Sequence, residues 1–376
     1  MNSELQPLRL FLCGDVMTGR GIDQALPHPV NPALHEPYVR DAREYIDLAE
    51  NANGPVPRAV TFDYIWGDAL QELENSGVDL RIVSLETAIT SAETHWPDKA
   101  IHYRMHPRNV DCLSAAEISG CALANNHILD WGYEGLSETL QTLDSAGIAH
   151  AGAGKDADEA AMPAVLDLTG KGRVLLFAFG STTSGIPPEW RATSISPGVN
   201  LLDDLSEATA TRVATQMRQC ASGGQPGDVL VASIHWGSNW GYDIPPEQIA
   251  FAHRLIDEGV AIVHGHSSHH VKAIEVFKGR LILYGCGDFL SDYEGISGYE
   301  MLRGDLGLIY LVELDSRNGQ LMSASLVPMQ MRRFRLERAS ATDTEWLCTL
   351  LNRLGTPFRT RVELAEDNRM RLKWLE

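Results

Sequence analysis

Leu8-Arg9-Leu10-Phe11-Leu12-Cys13-Gly14-Asp15-Val16-Met17-Thr18-Gly19-Arg20-Gly21 is the stretch whose reading decides the fold. Residues 8–13 form a short apolar run of strand type, and that run passes directly into Gly14-Asp15. The pattern recurs downstream. Residues 78–85 run into Glu86-Thr87, and residues 120–124 run into Asn125-Asn126-His127-Ile128-Leu129-Asp130. Residues 228–234 end in His235-Trp236-Gly237, and residues 260–263 end in His264-Gly265-His266-Ser267-Ser268-His269-His270. In open α/β sheets the crevice beyond the carboxyl ends of the strands is where ligands bind. Strand ends of this kind, gathered at one edge, would assemble a cluster of oxygen and nitrogen ligands.

Between these runs lie longer amphipathic segments. Residues 64–75 place Ile65, Ala69, Leu70 and Leu73 on one face, and residues 134–146 place Leu136, Leu140 and Leu143 at helical spacing. Helices are also predicted over 110–119, 203–220 and 247–258. After residue 270 the rhythm changes to strands at 271–277, 280–284, 306–314 and 324–329, with Lys278-Gly279 and Asn318-Gly319 as turn signals. A βα-alternating body followed by antiparallel strands predicts an α/β fold whose sheets mix or pack on each other. Residues 27–57, rich in Pro, His and Asn, read as a long insertion with one helix over 41–51. Residues 291–305, with three glycines, read as a lid or a dimer contact. Residues 342–354 read as a terminal helix, and 359–376 as charged and weakly patterned. The expected division is a main domain over 1–335 and a helix with a charged tail over 336–376.

The chain has 376 residues, with Lys+Arg 31 against Asp+Glu 50 and a net charge of −19. Such an acidic surface repels phosphate backbones and anionic lipid, which argues against nucleic acid and membrane partners. Residues 1–13 lack a basic segment followed by a long apolar one, so no signal peptide is expected. No apolar run is long enough to span a bilayer. The six cysteines are scattered without a Cys-x-x-Cys pair, which predicts free thiols and a cytoplasmic setting.

The residue types at the strand ends point to metal chemistry. Carboxylate, amide oxygen and imidazole without thiolate suit manganese, iron or zinc, and a carboxylate can bridge two ions. His266 and His269 lie in one tight turn, close enough to serve adjacent metals.

With these residues in view, the sequence resembles the CapA family of poly-γ-glutamate capsule biosynthesis proteins, within the calcineurin-like metallophosphoesterase superfamily. The resemblance is carried by Gly14-Asp15-Val16-Met17-Thr18-Gly19-Arg20, Ser84-Leu85-Glu86-Thr87, Leu123-Ala124-Asn125-Asn126-His127 with Asp130 and Gly132, His235-Trp236-Gly237, Gly265-His266-Ser267-Ser268-His269, and Tyr284-Gly285-Cys286-Gly287-Asp288-Phe289. It runs from about residue 8 to 354 in the same order. What it implies is a four-layer α/β/β/α sandwich holding two divalent metal ions between its sheets. By position, Asp15 and His269 would hold one metal, Asn126, His235 and His266 the other, and Glu86 would bridge. Three positions depart from the pattern: Ser84 and Asp288 stand where Asn is usual, and Met17 stands where other superfamily members have a His ligand.

The reaction implied is attack on a phosphoester by a metal-activated hydroxide. His127 corresponds to the proton donor, and Asp130 would orient its imidazole. Arg20 and Arg104 are the candidate contacts for an anionic substrate, small or polymeric, with a surface salt bridge as the competing account of each. A non-hydrolytic accessory or polyanion-binding role in poly-γ-glutamate synthesis, and a metal-dependent amidase, are the alternative functions. A homo-oligomer is compatible with the sequence.

Overall fold

The structure, a computed structural model, describes residues 7–222 and 228–375. Residues 1–6, half of the segment read as lacking an export signal, and Glu376 of the charged tail lie outside the described residues. Two mixed sheets, of ten and six strands, form the body. The larger sheet is built around Leu8–Val16, which pairs parallel with Leu80–Leu85 and antiparallel with Leu306–Leu314. Gly120–Ala122 and Ala149–Ala151 extend the parallel side. Leu321–Arg332, Met370–Trp374 and Thr360–Leu364 extend the antiparallel side. In the smaller sheet, Val229–His235 lies between Gly172–Gly180 and Ile262–His266, all parallel. Arg280–Leu283 follows in parallel, and Ile274–Phe277 and Ala164–Leu168 close the two edges antiparallel.

The strand period of two explains the layering. Along Gly172–Gly180, Val174, Leu176 and Ala178 join the core cluster that also holds Leu10, Leu12 and Ile82 of the larger sheet. Leu175, Phe177 and Phe179 point the other way, against Val213 and Met217 of helix Glu207–Ser222 and Phe251 and Leu255 of helix Pro246–Asp257. Sheet faces sheet, and helices cover the outside, as in the expected α/β/β/α order. Full burial of each such Leu or Phe stabilises by about 1.5–3 kcal/mol.

Several elements differ from the sequence reading. The helix expected over 64–75 is broken at Gly67, where φ is +47°, into a short 3-10 turn and helix Asp68–Ser76. The described part of the tail, residues 359–375, is not weakly patterned. Thr360–Leu364 and Met370–Trp374 form a hairpin on the larger sheet, their charged side chains outward and Val362, Met370 and Leu372 buried. The hairpin follows helix Ala341–Gly355, whose Ser340 hydroxyl accepts from the Asp343 N–H as its N-cap. Every cysteine among the described residues is free. No helix there is long and apolar enough to cross a membrane.

The parallel arms of both sheets aim their carboxyl ends at one edge. Asp15 is in register with Ser84 on one neighbour and with Asp288 on the other, and His235 is in register with His266. Gly14 permits this closeness: a Cβ there would fall 1.7 Å from the Gly287 carbonyl oxygen.

Candidate metal centre

Asp15, His235 and His266, all buried, bring one ligand atom each within 4.8 Å of one another. The two imidazoles meet Nδ1 to Nδ1 at 2.8 Å. Asp15 Oδ1 lies 3.4 Å from His266 Nδ1 and 3.8 Å from His235 Nδ1. His235 Nε2 lies 2.9 Å from the Asn126 side-chain oxygen and 3.9 Å from Glu86 Oε1. Asp15, Glu86, Asn126, His235 and His266 therefore converge as the strand ends predicted. The other Asp15 oxygen accepts from the Ser267 N–H at 2.9 Å. Ser267 takes φ +94° immediately after His266, a left-handed conformation that side chains rarely adopt and that such sites often retain.

The electrostatics single out the carboxylates. Asp15 Oδ1 and Glu86 Oε2 are buried with no hydrogen-bond partner. Burial pushes the Asp15 carboxyl up to about 7, against hydrogen bonds from Ser84 and the Ser267 N–H that favour the anion. Glu86 is pushed well above the usual carboxylate range by burial and then by the neighbouring charge of Asp15. Burial holds His235 and His266 well below the usual imidazole range, so both stand neutral with lone pairs to offer. An uncompensated pair of buried carboxylates beside neutral imidazoles and an amide oxygen is the environment a divalent cation completes. The residues fit the group that the resemblance implies.

His269 lies near enough to Asp15 for each to act on the other's charge. Its Nδ1 lies 2.9 Å from Asp288 Oδ1 and its Nε2 3.0 Å from Asn239 Nδ2. Burial works against its charge, but Asp288 overrides this and holds its pKa above the usual value. A carboxylate, where the resemblance leads one to expect Asn, thus gives His269 a partner of its own. His264 is a core residue, bound to the Cys13 carbonyl at 2.7 Å and to Ser233 at 3.0 Å.

Beside the cluster, His127 Nδ1 lies 2.7 Å from Asp130 Oδ2 and its Nε2 3.6 Å from Glu86 Oε1. Tyr103 packs edge-on against the imidazole at 4.4 Å. Sequence reasoning missed Lys99, whose ammonium lies 2.6 Å from Asp130 Oδ1. No periodicity marks Lys99, which lies in the irregular loop His95-Trp96-Pro97-Asp98-Lys99-Ala100.

The two arginines have other engagements. Arg20 is buried, donating to Asp292 at 3.1 Å, to Glu36 at 3.0 Å and to the Tyr45 hydroxyl at 2.8 Å. Arg104 is buried over the Trp131 ring at 3.8 Å and donates to the backbone carbonyls of Ala92 and Asn31 at 2.5 and 3.0 Å. Both guanidinium groups are tied to protein, which is the salt-bridge and packing account rather than the substrate-contact one. Asp292 belongs to the segment read as a lid or a dimer contact, and it ties the start of that segment to buried Arg20.

The model of the family described as bacterial capsule synthesis protein PGA_cap matches residues 9–293. A probable polyglutamine synthesis accessory protein of Mycobacterium tuberculosis is 47% identical over 360 residues, covering 96% of this chain and 94% of that one. The capsule biosynthesis protein CapA of Bacillus anthracis is 26% identical, covering 52% of this chain and 45% of that one. The PGA biosynthesis protein CapA of Bacillus subtilis is 27% identical, covering 52% and 48%. The chain belongs to the PGA_cap family of bacterial capsule synthesis proteins.

Proposed function

We propose that this protein is a metal-dependent hydrolase of the phosphoesterase type, acting on an anionic substrate. One observation carries the reading: Asp15 and Glu86 are buried carboxylates, each with an oxygen lacking any partner, beside Asn126, His235 and His266. Those five residues would hold the cation or cations, with manganese, iron and zinc all suited to the donor set. When bound, such a cation polarises a phosphoryl oxygen and acidifies a water. The chain's own contribution to the chemistry is His127. With Nδ1 bound to Asp130, it presents Nε2 beside Glu86, where it can hold or deliver a proton at a leaving oxygen. Tyr103 and the Asp130 contact fix the ring, so the proton's position is set before substrate arrives.

The test is metal analysis of the purified protein together with hydrolysis of generic phosphomono- and diesters in added Mn²⁺. Wild-type protein should retain divalent metal and turn over, while Asp15→Asn and His127→Ala should not. Wild-type protein that binds no divalent metal and matches both variants in having no activity would overturn the proposal. A second reading, an accessory role in poly-glutamate synthesis without hydrolysis, draws support from the name of the mycobacterial relative. Tight binding of poly-γ-glutamate with no turnover would favour it. Cleavage of amide but not phosphoester substrates would favour an amidase built on the same residues.

A further inference from the structure

We propose that Lys99 is a positioning residue for His127: its ammonium holds Asp130 as a carboxylate acceptor, which keeps the imidazole proton on Nδ1 and turns a bare Nε2 toward Glu86. The ammonium has three N–H donors and two acceptors in reach, its third close neighbour being an Nδ1 that in this tautomer carries its own proton. Asp130 Oδ1 lies at 2.6 Å, the Ile101 carbonyl at 2.7 Å and His127 Nδ1 at 3.1 Å. Asp130 Oδ1 and the Ile101 carbonyl are its nearest partners, and both belong to the protein, so the geometry assigns Lys99 to the dyad. The loop that delivers it is tied down on both sides. The Trp96 N–H donates to the Asp130 carbonyl at 2.7 Å, and the Trp96 carbonyl lies 2.9 Å from His102 Nε2. His95 stacks on His35 at 3.8 Å, and the Trp190 ring lies 5.8 Å from the ammonium.

Asp130 needs such a partner. Its side chain is fully buried, and Oδ2 accepts from the Tyr103 N–H at 2.6 Å while facing His127 Nδ1 at 2.7 Å. Burial pushes its carboxyl up to about 6, with Lys99 the leading influence in the other direction. Remove the ammonium and the carboxyl takes a proton from water. An acid O–H facing Nδ1 then donates instead of accepting, and the imidazole carries its own proton on Nε2. The interaction would still be a hydrogen bond, with its direction reversed and Nε2 protonated rather than bare where it faces Glu86.

This inference rests on the hydrolase reading only for its catalytic consequence, because the position of the proton can be read without substrate. The experiment is a two-bond ¹H–¹⁵N correlation spectrum of the full-length, histidine-labelled protein, free of paramagnetic ions, at neutral pH. Wild type should show His127 protonated on Nδ1. Lys99→Met should move it to the Nε2–H form, Lys99→Arg should restore Nδ1–H, and the remote His150 and His253 should keep their wild-type signals. Lys99→Gln serves the same purpose should the Met variant fail to fold. A folded Lys99→Met or Lys99→Gln protein that keeps His127 in the Nδ1–H form overturns the proposal. If wild type also turns over phosphoesters, Lys99→Met should lower kcat about 10- to 100-fold with KM little changed, the range of second-sphere substitutions. Absence of turnover would count against the hydrolase reading and leave the tautomer result standing.

Discussion

Two buried groups of charge lie back to back in this molecule, separated by a pair of tyrosines. On one side, Arg20 meets Asp292, Glu36 and Tyr45. On the other, Asp15 and Glu86 face His235, His266 and Asn126. Between them, Tyr103 and Tyr293 share a hydrogen bond of 2.8 Å, with Arg20 over their rings at 4.3 and 5.6 Å. Tyr103 supports His127, and Tyr293 packs against His269 at 5.2 Å. The Arg20 group satisfies itself: cation, carboxylates and phenol account for one another. The Asp15 group does not, since two carboxylate oxygens are left over. A complete buried network is structure, whereas an incomplete one marks where something from outside belongs.

The contrast is sharpest under substitution. Arg20→Met leaves Asp292 and Glu36 facing each other in the core without a cation, and should cost about 3–5 kcal/mol of stability. Divalent-metal binding by the fraction that remains folded should not change. Chemical denaturation alongside metal titration checks both halves, and a stability loss under about 1 kcal/mol would erase the distinction. Asp15→Asn should do the reverse. Affinity for divalent cation, followed by calorimetry, should fall at least about 100-fold, near 2.7 kcal/mol. In chelator, the variant should melt no lower than wild type, because it removes a buried charge that lacked a partner.

The same contrast explains what could be read from the sequence. Asp15, Glu86, Asn126, His235 and His266 were legible because each stands where an apolar strand stops, and parallel strands bring such stops to one edge. The sandwich followed from alternation of strand and helix. The partners of Arg20 were not legible, since Glu36 lies in the Pro-rich insertion and Asp292 far down the chain, and only tertiary packing joins them. The partner of His269 was not legible, because spacing cannot reveal that Asp288 engages its Nδ1. The terminal hairpin was visible in principle: Thr360-Arg361-Val362-Glu363-Leu364 alternates with period two, but its charge obscured the pattern.

Another buried carboxylate, Asp23, tests whether self-satisfaction has a pH signature. Asp23 accepts from the N–H groups of Val30 and His106 and from the Asn109 amide, each at 2.8 Å. Burial nevertheless pushes its carboxyl up to about 6. The folded protein therefore holds this proton more tightly than the unfolded chain. Its contribution to stability is complete below about pH 4 and is lost as pH rises through 6. Denaturation midpoints measured from pH 4 to 7 should fall more steeply in wild type than in Asp23→Asn, whatever the variant's absolute stability. An equal or steeper slope in the variant would mean that the carboxylate is ionised throughout.

The smallest effect is expected at Arg104, and it is the most discriminating for function. Its guanidinium stacks on Trp131 and reaches two backbone carbonyls, with Glu93 3.8 Å away and largely exposed. Unlike Arg20, it faces no buried carboxylate in contact, so Arg104→Gln strands backbone oxygens rather than a charge. Loss of the stacking and of the two hydrogen bonds should cost about 1–2 kcal/mol. If Arg104 is structural, as these contacts argue, KM for any phosphoester or polyanion should match wild type once the folded fraction is taken into account. A KM raised tenfold or more, with melting unchanged, would instead mean that the side chain leaves Trp131 to hold an anion. The boundary between structural and ligand-binding charge would then have to be redrawn to include Arg104.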